Sequence, residues 1–200
     1  RQLVFALQLG RLLQRLLPDQ PEAQGLLALM LHCEARREAR RSGGAYVPLS
    51  EQDVRLWSQP LLQEAETVLA AAERAGRLGR FQLEAAIQSV HARRAWTGHT
   101  DWEAVALLYE GLVRYAPTVG AMVGRAAAVA EARGAAAGWS LLQALPAPAL
   151  ESYQPYWALA AHLLQRLERG EDARAAYDRA IGLCEDPAMR DFLARRAERL

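Results

Sequence analysis

Apolar side chains recur at helical spacing along almost the whole chain, and no segment of useful length alternates with a period of two. That periodicity predicts an all-α protein. An early helix carries apolar positions 3, 6, 7, 10, 13 and 17 and ends at Pro18. Pro21 suits the first turn of a second helix, predicted to run to about Arg40. Residues 41–48, with "SGG" and Pro48, form a loop. Ser50 and Asp53 approximate a capping box for a short helix ending near Trp57, and Pro60 opens a helix that stops around Gly76 and Gly79.

From Phe81 the predicted helices come in pairs: 81–94 with 101–115, 118–132 with 135–145, and 154–168 with 171–184, followed by a last helix from 187. Thr100 and Glu103 read as a capping box before "WEAVALLYEGL". Paired helices invite comparison with the 34-residue tetratricopeptide repeat. Trp157, Leu164, Ala173, Tyr177 and Ala180 fall at repeat positions 4, 11, 20, 24 and 27, and Val105, Tyr109 and Leu112 stand two repeat lengths earlier. Small residues let the helices of a hairpin approach, and the aromatic fills the gap to the next hairpin. Two positions break the pattern: Trp139 stands where Ala is usual, and Glu168 where Gly is usual. The expected architecture is a right-handed stack of antiparallel helix hairpins. A helical segment, 1–78, would pack on tetratricopeptide-like repeats, 79–200, as one continuous domain.

Composition narrows the functions. All 24 basic residues are arginine, and the net charge is +1, so no bulk field draws nucleic acid or a membrane surface. Cys33 and Cys184 are far apart and read as reduced thiols of a cytoplasmic protein. The apolar runs are too short to span a bilayer. Arg1 is not an initiator Met, and the chain is expected to begin inside a longer protein.

His32, Cys33 and Glu34 are consecutive on a helix and point in three directions, so they cannot chelate one metal together; they read as a helix end. No Gly-rich phosphate loop, HExxH or G-x-S-x-G pattern occurs, and no enzymatic activity, metal or cofactor is expected. His91 and His99 read as structural hydrogen-bonders, and the tryptophans as fillers between helices. Arg36, Arg37, Arg40 and Arg41 form the densest cationic cluster. It is either an anion or acidic-peptide site or, the favoured reading, a group paired with Glu34, Glu38 and the Gln52-Asp53 segment. In that latch Asp53 pairs with an arginine of the cluster and Trp57 packs beneath. Repeat geometry places His162 and Arg166 in a groove, with Arg125 alongside; if the groove binds a peptide, either the two arginines supply the anion contacts or the contact is mainly apolar.

The segments "LGRLLQRLLPDQPE" (9–22), "GLLALML" (25–31), "ARREAR" (35–40), "EQDVRLW" (51–57), "FQLEAAIQSVHA" (81–92), "TDWEAVALLYEGL" (100–112), "GRAAAVAEARGAAAG" (124–138) and "EDARAAYDRAI" (171–181) together resemble the C-terminal extension of a group of extracytoplasmic-function sigma factors of the sigma-70 family. The resemblance implies a regulatory, tetratricopeptide-like tail. The intact parent would direct RNA polymerase to promoters through sigma regions that these 200 residues do not contain. The expected partners are the parent's own DNA-binding regions, the polymerase core or a regulatory protein, with promoter DNA met only through the missing regions. The chain departs from the group in having Cys33-Glu34 where His-Asp is usual and Gly124 where Asn precedes Arg125. The competing class is a free-standing repeat adaptor unrelated to transcription.

Overall fold

Helix dominates the computed structural model, which describes residues 2–146 and 150–200, with side chains from Phe5 onward. Its helices are α1 (Gln2–Leu16), α2 (Pro21–Ala35), α3 (Gln59–Arg74), α4 (Arg80–Ala92), α5 (Arg94–Thr97), α6 (Trp102–Tyr115), α7 (Val119–Arg133), α8 (Ala135–Gln143), α9 (Gln154–Arg166), α10 (Gly170–Gly182) and α11 (Pro187–Ala197). The protein is all-α. Among the described residues the only strand pairing is a two-residue ribbon, β1 (Arg41–Ser42) with β2 (Ala45–Tyr46). Gly43 and Gly44 turn it with φ of 54° and 84°, the consecutive left-handed pair that tight hairpins require. The "SGG" loop is therefore a miniature hairpin. Two further local expectations change. The segment after Pro48 folds as two single 3-10 turns, Leu49–Glu51 and Val54–Leu56, rather than one short helix. Asp101, not Thr100, caps α6, accepting from Ala104 N at 3.0 Å.

Contacts divide the chain into two units, Arg1–Arg41 with Val47–Tyr115, and Ser42–Tyr46 with Ala116–Leu200. The division falls after Tyr115. The reason is that α4 packs against α2, and α6 against α4, so both helices belong with the N-terminal elements. Leu27, Ala28 and Leu31 of α2 meet Leu69 of α3 and Ala85 of α4 in a buried core. Gly25 lets the α2 and α4 backbones touch: a Cβ there would lie 2.7 Å from Gln82 N. Glu22, in the first turn of α2, caps α4 from outside; its carboxylate accepts from Phe81 N at 3.0 Å and Gln82 N at 3.1 Å.

In the second unit α7 pairs with α8 and α9 with α10, while α11 packs on α10. Ala126, Ala130, Leu142, Ala161, Leu163 and Tyr177 are in its core. Ala173, Tyr177 and Ala180 are 0%, 1% and 0% exposed, so these repeat positions are interior; Tyr109 and Trp157 are half-buried. Glu168, in the α9–α10 turn, is left-handed with φ 58°, and Arg169 N beyond it closes onto Leu164 O at 2.9 Å. The usual Gly at this repeat position thus has a conformational reason here. We predict that Glu168→Gly raises stability by about 1 kcal/mol in chemical denaturation, by removing the Cβ strain of that conformation. A neutral or destabilising result would mean that the Glu168 side chain contributes more than its backbone costs.

Candidate functional site

The arginine cluster and Trp57 lie in the first unit. Helix α2 stops at Ala35, short of the expected Arg40; Ala35 O there accepts from Ser58 N at 2.8 Å, drawing the 51–58 segment against the helix end. This turn carries Arg36 inward, to 6% exposure, while Arg37 and Arg40 stay at the surface. Trp57 is 3% exposed, among Ala35, Ala39, Leu62 and Ala92. The Arg36 guanidinium lies 6.0 Å from its ring centre, and that of Arg94 lies 5.1 Å away. Arg36 also donates to Gln88 Oε1. Arg94 donates to the carbonyls of Ser50, at 2.5 Å, and Gln52, at 2.8 Å, fastening the loop that leads into Trp57.

Asp53 does not join this clamp. It accepts from Arg55 N at 2.9 Å and holds the Arg55 guanidinium at 2.8 Å, both on the exposed side. The expected pairing of Asp53 with the 36–41 cluster is corrected: a residue two positions away is a closer partner, and the second cation at Trp57 is Arg94. Burial lowers the pKa of both Arg36 and Arg94. Arg37 pairs with Glu34 at 3.1 Å and Glu38 at 3.4 Å, and Arg40 donates to Cys33 O at 2.7 Å.

His32, Cys33 and Glu34 occupy the last turn of α2. His32 is 1% exposed, with Nε2 3.3 Å from Glu66 Oε1, and this proximity is the main influence holding the Glu66 carboxyl below its usual range. Among the described residues no group of three His, Cys, Asp or Glu side chains could hold a metal ion.

His91, on α4, packs edge-on against Trp102 with ring centres 5.3 Å apart. Burial, then the charges of Arg36 and Arg94, depress its pKa from 6.5 to about 4. The unfolded chain takes up this proton near pH 6.5 and the folded chain only near pH 4, so stability is complete above pH 6.5 and falls as pH drops toward 4. We predict a loss of about 3 kcal/mol across that window from His91 alone. Urea melts at successive pH values should show this slope, with His91→Leu flattening it. An unchanged slope in the variant would assign the acid sensitivity to other groups.

The expected groove residues belong to the second unit, where the structure gives them separate neighbours. Arg166 reaches back to α7, pairing with Glu131 at 2.5 Å and approaching Ala130 O at 3.5 Å. His162 Nδ1 lies 3.3 Å from Arg196 Nη1 of α11, and burial is the main cause of its lowered pKa. Gln165 accepts from the Tyr177 hydroxyl at 2.9 Å. Arg125 on α7 is half-buried. Helix-to-helix contacts thus engage His162 and Arg166, and Arg166 has its own carboxylate. The sequence reading missed an aromatic cleft in this unit, between α8, α9 and α10, although Trp139 had marked it as a break in the repeat pattern.

Residues 3–73 match a family described as a family of unknown function, DUF6596. Nearly the whole chain, 98% of it, is similar to an uncharacterised protein of Rhizobium meliloti (strain 1021), at 39% identity over 196 residues. The chain spans 46% of that relative's length. No solved structure matches. Among the described residues no helix is long and apolar enough to cross a membrane.

Proposed function

We propose that this chain is the regulatory tail of a cytoplasmic alternative sigma factor, a protein-contact domain that supports promoter-directed transcription by its parent. The observation that carries this reading is the resemblance in eight segments along the chain. Nearly the whole chain aligns with less than half of a longer relative, which is compatible with a part of a larger protein. The second unit supports the tetratricopeptide-like reading through its α7–α8 and α9–α10 pairs, with small residues and Tyr177 between helices.

Helix α1 offers the surface on which the parent's sigma regions would dock. Phe5, Leu9, Leu12 and Leu16 are 62%, 49%, 44% and 68% exposed. Their alternating four- and three-residue spacing is the seam of one helix packing along another. Partners of this reading are those sigma regions and the polymerase core, and no step of chemistry is assigned to the chain. The test is co-purification. The full-length parent should bring down core RNA polymerase, and this chain expressed separately should bind the parent's remaining portion. Failure of both would leave the free-standing adaptor as the better reading.

A further inference from the structure

A cleft of about 460 Å³ opens between α8, α9 and α10, within the size range of ligand sites, roughly 300–1,000 Å³. Trp139 of α8 and Tyr156 and Trp157 of α9 line it, with Ala160 and Ala176 buried at the helix contact beneath. The small alanines leave the aromatic faces room. Two guanidinium groups stand over the indoles, Arg169 at 5.6 Å from the Trp139 ring centre and Arg179 at 6.0 Å from that of Trp157.

These two cations differ. Arg169 is neutralised by Asp172, 2.6 Å away. Arg179, exposed, donates only to Glu151 O at 3.1 Å and has no carboxylate partner among the described residues. The same Glu151 carbonyl accepts from Trp157 Nε1 at 3.2 Å. One backbone oxygen therefore orients both an indole and a guanidinium before any ligand arrives, which reduces the cost of binding. The remaining guanidinium N–H groups suit a carboxylate, which arginine can grip with two parallel hydrogen bonds. Trp139, where a small residue is usual, both packs on the unit's core and lines the cleft, so its ring is held in place as a wall for a bound aromatic side chain.

We propose that this cleft binds an acidic peptide segment of a partner protein: one aromatic side chain of the peptide lies among Trp139, Tyr156 and Trp157, and a neighbouring carboxylate pairs with Arg179. The site is separate from the transcription reading and stands or falls without it. Its walls come from three helices of one unit, so the whole chain can be used directly in the test.

The probe is a fluorescein-labelled heptapeptide, Glu-Asp-Glu-Phe-Glu-Asp-Glu, followed by anisotropy, with unlabelled peptide followed through the indole N–H resonances of the protein. Binding should saturate below roughly 1 mM, the affinity of a weak single-anchor contact. The resonances of Trp139 and Trp157, assigned with Trp→Phe variants, should move. Arg179→Gln and Trp139→Ala should each weaken binding at least tenfold, while Arg174→Gln, on a neighbouring face of α10, should not. Arg179 is at the surface, so its variant keeps the test valid if Trp139→Ala fails to fold. The proposal is overturned by an absence of saturable binding. It is equally overturned if the Phe→Ala peptide binds as well, if Arg179→Gln binds with unchanged affinity, or if free N-acetylphenylalanine binds as tightly as the peptide, which would make the cleft a small-acid site.

Discussion

Trp57→Ala should lower the stability of the chain by about 3–5 kcal/mol, the cost of emptying a fully buried aromatic site. Trp57 is 3% exposed and meets the end of α2 through Ala35, the turn after it through Ala39, α3 through Leu62 and α4 through Ala92. Its loss also removes the π face shared by Arg36 and Arg94. Arg36 would then be a buried cation with fewer partners, which adds to the cavity cost. Trp57→Phe is the informative companion. It keeps a ring near both cations and discards an indole N–H that has no hydrogen-bond partner among the described residues, so it should cost well under half as much. Urea denaturation of the three proteins measures both shifts. If Trp57→Ala melts like the parent chain, the clamp contributes nothing to the fold.

Gly138→Val should be comparably damaging, about 3 kcal/mol or more, because overpacking here meets backbone rather than a movable side chain. A Cβ at Gly138 would stand 2.4 Å from Ala130 Cβ and 2.7 Å from Ala126 O, so α8 could not keep its place on α7. Ala130→Gly should rescue the variant in part, since it removes the first clash and leaves the second. Gly111 supplies the control: its Cβ would meet only Leu83 Cδ2, at an ordinary 3.8 Å, and Gly111→Ala should stabilise by up to about 1 kcal/mol through helix propensity. Thermal and urea melts with equal losses at positions 111 and 138 would contradict the close approach of α7 and α8.

Helices were legible because their signals are local. Pro18, Pro21, Gly76 and the 3.6-residue period place α1, α3, α4 and the start of α2 near their observed bounds, though α2 ends five residues before the expected Arg40, and the repeat arithmetic selects Ala173, Tyr177 and Ala180, all interior. What lay beyond reach was the choice of partner. A period identifies the face a helix buries but not the helix it meets, so the attachment of α4 to α2 was invisible. Polar partners were harder still. Arg94 finds carbonyls more than forty residues away, at Ser50 and Gln52, and carbonyls carry no sequence signal. Asp53 was assigned a distant arginine when Arg55 could turn back to it. Arg166 was expected at an open surface, but Glu131 on α7 is within its reach. Trp139 and Glu168 were visible as departures from the repeat, and both mark real local features, an aromatic cleft wall and a left-handed turn.

The proposal that this chain serves a transcription factor is tested most directly by reconstitution. Core RNA polymerase, the full-length parent and DNA carrying the region upstream of the parent's own gene are combined in a run-off assay. A second reaction uses the parent lacking these 200 residues. The sigma-tail account predicts a discrete transcript that depends on the parent and falls at least tenfold with the truncated form. No parent-dependent transcript from that region or from genomic fragments, or equal transcription by both forms, would contradict it.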